Sequence, residues 1–203
     1  MNPLEERRKG LGWAGAILLA GWASPLWAHT GNETGRAFSN GLWHPVSGID
    51  HLAAMVAVGL WGAQLGKPLI VLLPVAFPAV MAVGGALGIR GVPVPFVEAG
   101  VALSALTLGA MVWRAMRPPI WAAVTLVAGF AVFHGYAHGR QVPMAIDPAG
   151  FGAGFLIATG LLHLAGIGLG QLSHWQPAGP AIVRILGGAV FVVGVIMSWR
   201  ALA

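Results

Sequence analysis

The sequence has no cysteine. That excludes disulfides and thiolate metal sites, so any bound metal must be held by nitrogen, oxygen or methionine sulfur. Charge is scarce too. Only 8% of the residues are charged, against roughly a quarter in a soluble domain. So few charges cannot cover a globular surface, and a hydrophobic fraction of 57% points to a membrane protein. Tyrosine occurs once, against nine tryptophans, a balance that suits rings at a lipid–water interface. The net charge of +5 rests on few residues, several of them together in "ERRKG", so it is no nucleic-acid signature. No nucleotide-binding loop, soluble domain or internal repeat is visible.

What is present begins with an export signal. "MNPLEERRKG" is a basic leader, "LGWAGAILLAGWA" an apolar core, and "SPLWAHT" carries a cut site after Ala28. Residues 1–28 are thus expected to be a cleavable signal peptide; the other reading is an uncleaved anchor. Cleavage exposes His29, whose amine and imidazole together are a candidate chelate. Arg7, Arg8 and Lys9 stay in the cytoplasm, which places the mature N-terminus in the periplasm and the chain in the bacterial inner membrane.

The expected fold is an all-α membrane protein, a bundle of six transmembrane helices behind that signal peptide. Each span needs roughly 20 apolar residues. Residues 44–64, 69–89, 94–113, 119–139, 148–170 and 180–199 meet this, with turn signals such as "LGKPL" and "RGVPVP" between them. Short loops make neighbouring spans antiparallel. Glycines at four-residue spacing, among them Gly84 and Gly88, Gly135 and Gly139, predict closely packed helices.

Polar groups inside spans are rare and usually functional. Here they are His44, Asp50, His51, Glu98, His134, His138 and His163. Pro45 suits a first helical turn, and His44 and His51, seven residues apart, would share a face of one helix. His134 and His138 in "FHGYAHG" are four apart and also share a face. At about 1.5 Å per residue, His51 lies roughly 10 Å below the outer end, Glu98 about 6 Å and His134 about 8 Å. Six groups from three helices therefore fall in one slab. The plainer readings stay open: a packing histidine at His163, a Glu98–Arg90 pair, an interfacial His174 and a core Met55. Imidazoles with a carboxylate and no thiolate suit nickel, cobalt, zinc or copper; a proton relay is the other use of such a set.

Two motifs carry a resemblance. "HPVSGIDH" resembles the first-helix signature of the hydrogenase and urease accessory permeases, the HupE/UreJ family, and "FHGYAHG" resembles the family's second motif. The resemblance implies import of Ni2+, in some members Co2+, with His44, Asp50, His51, His134 and His138 handling the metal and nickel-enzyme maturation proteins as partners. The family's second motif commonly continues to a glutamate where this chain has Gln141; Glu33 and Asp147 are the nearby carboxylates that could substitute. A reading from another class is an intramembrane zinc hydrolase. There three histidines hold Zn2+ and a water, Asp50 or Glu98 is the base, and Ser47 steadies an oxyanion. A periplasmic metal sensor or chaperone partner is a third.

Overall fold

The computed structural model describes residues 33–142, 147–173 and 175–202. Residues 1–28, expected to be a signal peptide, and His29 and His174 lie outside the described residues. Among those described, all regular structure is helical: α1 (Glu33–Ser47), α2 (Ile49–Leu65), α3 (Leu69–Ile89), α4 (Val97–Trp113), α5 (Ile120–Gln141), α6 (Pro148–Leu172) and α7 (Gly179–Leu202). Four of them, α3, α5, α6 and α7, are long and apolar enough to cross a membrane. A fifth crossing exists if α1 and α2 count as one broken span. Helix α4 has 17 residues and falls short of that length.

The helix expected through 44–64 is broken. Pro45 sits in the last turn of α1, not the first turn of a span. It has no N–H to give the carbonyl four residues back. Gly48 then takes an extended backbone, φ −104 and ψ 117, before α2 begins. The two helices meet at 81°. His44 therefore belongs to α1 while Asp50 and His51 open α2, and the shared face predicted from seven-residue spacing does not exist. The start of α4 also moves inward from residue 94. Phe96 adopts a left-handed backbone, φ 57, after Pro93 and Pro95, so helix begins only at Val97.

Packing follows the glycines. Helix α3 lies along α5, α4 along α7, and both α1 and α2 lie along α6. On the α3–α5 contact, a Cβ at Gly135 would run into the Met81 carbonyl, and one at Gly84 into the Val132 carbonyl. Backbone-to-backbone approach of this kind is what small residues permit in apolar surroundings. It matters here because Gly135 lies between His134 and His138, so it draws both histidines against α3. The core beneath them includes Met55, Leu60, Trp61, Leu73, Phe77 and Leu108.

Candidate metal centre

One end of the bundle gathers the polar residues. Helix α2 begins there, α5 finishes there and α6 starts there. Asp50 stands in the first turn of α2, where the partial positive charge of a helix start favours a carboxylate. Its Oδ1 accepts the His51 backbone N–H at 2.9 Å and the His51 Nδ1–H at 2.8 Å. A carboxylate can only accept, so Nδ1 carries the proton and Nε2 is left with its lone pair. That Nε2 is buried and has no hydrogen-bond partner.

His134 is fixed in the opposite sense. Ser104 of α4, fully buried, donates its hydroxyl proton to the Val101 carbonyl at 2.6 Å. Its oxygen lies 2.7 Å from His134 Nε2. The hydroxyl has one proton and has spent it, so Nε2–H of His134 donates and Nδ1 keeps the lone pair. Nδ1 is buried and unpartnered. His138, 5% exposed, has no partner on either ring nitrogen. Burying a polar nitrogen without a hydrogen bond costs on the order of 1–3 kcal/mol, and four such nitrogens on three histidines mark a candidate ligand site.

The three rings converge. The His51 centroid is 4.9 Å from that of His134 and 4.2 Å from that of His138. One nitrogen from each falls within 4.8 Å of the others. Ligands held at about 2.1 Å from a metal are at most about 4.2 Å apart, so small side-chain rotations close the set on an ion. The donors are three imidazoles with one carboxylate behind them, a set suited to Ni2+, Co2+, Zn2+ or Cu2+. The carboxylate-backed His51 is the arrangement that orients and strengthens metal-binding histidines.

His44 reaches the same end by another route. Because α1 folds back along α6, the His44 ring lies 4.9 Å from His138 and 5.5 Å from Phe151. It is half-buried, and its Nε2 donates to Gln141 Oε1 at 3.1 Å. Gln141 thus bonds His44 without adding charge. Beside His138 a cavity of about 210 Å³ opens between α3, α5 and α6, with Met81, Phe151 and Phe155 on its walls and His138 as its one ionisable residue.

The remaining candidates fall elsewhere. Glu98 is exposed in the first turn of α4 and stands outside the three-histidine group. Asp147 caps α6, accepting the Ala149 N–H at 3.0 Å. Ser47 is exposed and its hydroxyl donates to the His44 carbonyl at 2.7 Å. Met55 is wholly in the core. His163 is fully buried and lies deeper along α6. Ser104 is the residue that sequence reasoning missed. Its only signal is a hydroxyl six residues beyond Glu98 in an apolar helix, where serine commonly bonds its own backbone.

A family model described as HupE / UreJ protein matches residues 17–197. A curated protein, Protein HupE of Rhizobium leguminosarum bv. viciae, is 43% identical over 167 residues, covering 82% of this chain and 86% of that protein. No solved structure matches the chain.

Proposed function

The chain belongs to the HupE/UreJ family, and from that premise we propose that it is a permease importing a divalent transition metal for hydrogenase or urease maturation. Ni2+ is the first choice of cargo, and Co2+ or Zn2+ would use the same ligands. The bundle crosses the bacterial inner membrane six times, with α1–α2 as one broken crossing and α4 as the shortest. Its histidine end faces the periplasm, in keeping with the basic leader.

The observation that carries this reading is the set of buried, unpaired lone pairs on His51, His134 and His138. A hydrated ion arriving past the half-buried His44 exchanges waters for these imidazoles. Asp50 offsets part of the ion's charge through His51. Neutral imidazoles replace water well yet hold less tightly than thiolates would, which suits a site that must also release its cargo. The zinc-hydrolase reading gains nothing from the serines. Ser47 is committed to the His44 carbonyl, and Ser104 to Val101 and His134.

The test is radioactive nickel uptake in nickel-limited cells, with membrane levels matched by blot. His51→Ala is expected to bring uptake down to the background of cells lacking the protein. Uptake at the wild-type rate by that variant overturns the site assignment. A purified protein that hydrolyses acyl or amide substrates and accumulates no metal overturns the permease.

A further inference from the structure

A second group of buried polar atoms without partners lies on α6, away from the three-histidine set. Thr159 and His163 are both 0% exposed. Neither the Thr159 hydroxyl nor either nitrogen of His163 has a hydrogen-bond partner. Four residues apart, they share one face of the helix. Phe155, one turn before Thr159, lies on that face as well, and its ring packs 4.1 Å from that of His138. The face therefore starts at the three-histidine set and leads inward. His163 lies eight residues past Phe155, about 12 Å further along the axis.

Phe77 of α3 stands between the two groups. Its ring is 5.5 Å from that of His134 and 5.3 Å from that of His163, edge-on to the latter. One turn earlier on α3, the Pro74 carbonyl lacks its usual helical donor, because Pro78 has no N–H. An unpaired hydroxyl and an unpaired imidazole thus lie on one helix face in the apolar interior of the bundle. Polar groups there are costly unless something binds them.

We propose that His163 and Thr159 form an inner station for the divalent ion, separated from the three-histidine site by Phe77. The proposal rests on the permease reading and adds a second site to it. His163 supplies one imidazole ligand, and the Thr159 oxygen holds a water of the ion's remaining shell. With one nitrogen in place of three, the inner station binds more weakly, so the ion passes from a capture site to a release site. Sites in series that differ in this way satisfy the requirement that cargo both enters and leaves. Phe77 offers no ligand and sets the barrier between them.

The experiment measures binding and movement separately on the full chain. Ni2+ binding to the detergent-purified protein is followed by calorimetry. Ni2+ entry into proteoliposomes is followed with an enclosed metal-sensitive dye. His163→Ala is expected to keep capture-site affinity within about twofold, because His163 supplies none of the three converging nitrogens, while initial entry falls about tenfold or more. Thr159→Val, close in shape, is expected to slow entry about threefold with affinity unchanged. Entry at the wild-type rate by His163→Ala overturns the station. So does a loss of affinity as large as the loss of entry, which would make His163 part of the capture site or of the fold. Should His163→Ala fail to purify as a folded protein, Thr159→Val decides, and wild-type entry by that variant overturns the proposal. Wild-type vesicles that admit no Ni2+ overturn the permease reading itself, a result distinct from a variant matching an active wild type.

Discussion

The two ends of the bundle differ in what their polar side chains leave unpaired. At the end where α4 finishes, donors are spent on backbone. The Trp61 indole N–H reaches the Met116 carbonyl at 3.0 Å, the Gln64 amide the Val112 carbonyl at 3.1 Å, and Arg184 the Trp113 carbonyl at 2.9 Å. A helix leaves its last carbonyls short of donors, and these three side chains bond carbonyls in the last turn of α4 and just beyond it. At the histidine end Ser47 and Asp147 also bond backbone, but the ring nitrogens do not. Asp50 and Ser104 take up one ring N–H each, and the lone pairs opposite are left unmatched. Both ends are polar, so polarity alone does not mark a site. What distinguishes them is which atoms remain unsatisfied once every hydrogen bond is assigned. Among the described residues, Gln64 Oε1 is such an atom at the α4 end; at the other end four buried nitrogens on three histidines are.

The largest test of this contrast outside the ligands themselves is Ser104→Ala. Without the serine oxygen, His134 Nε2 loses its acceptor and the ring is free to change tautomer. Ni2+ affinity of the purified protein is expected to fall about tenfold or more, the usual effect of removing a group that orients a metal ligand. Ser104→Thr keeps the oxygen and is expected to restore most of it. Unchanged affinity in Ser104→Ala, measured by calorimetry, means the serine does not hold the ring.

A smaller effect is expected from Gly48→Ala. The added Cβ would stand 2.9 Å from Asp50 Oδ1 and 3.0 Å from His51 Nδ1. Displacing the tips of two side chains costs about 1 kcal/mol, read as roughly fivefold weaker Ni2+ binding. Wild-type affinity in this variant would show that the Asp50–His51 pair tolerates the shift.

The smallest effect belongs to the other end. Gln64→Met removes the donor to the Val112 carbonyl and also removes the unpaired Oε1. Thermal unfolding in detergent is expected to report a loss of no more than about 1 kcal/mol, with Ni2+ affinity unchanged. An altered affinity would break the separation between the two ends.

Much of this was legible from local pattern. Apolar runs and turn signals locate helices, because a chain with so little charge has few other ways to satisfy its backbone in lipid. "FHGYAHG" puts two imidazoles on one helix face by spacing alone, and "DH" puts a carboxylate beside an imidazole. His44 joins the cluster for a different reason from the one its spacing suggests. Pro45 and Gly48 break the helix, and the fold-back of α1 along α6 brings the ring in. Glu98 has a suitable depth but stands outside the group, since depth along a helix says nothing about rotation around it.

The sequence by itself determined the helical membrane class, the family and the donor types, since composition and short-range spacing depend only on neighbouring residues. Tertiary structure decided which donors meet, which nitrogen of each ring is free and that Ser104 and Phe77 stand between helices distant in the chain. Those facts depend on how each helix is rotated and how closely it packs. Both are set by contacts such as Gly135 on Met81, made between residues far apart in sequence.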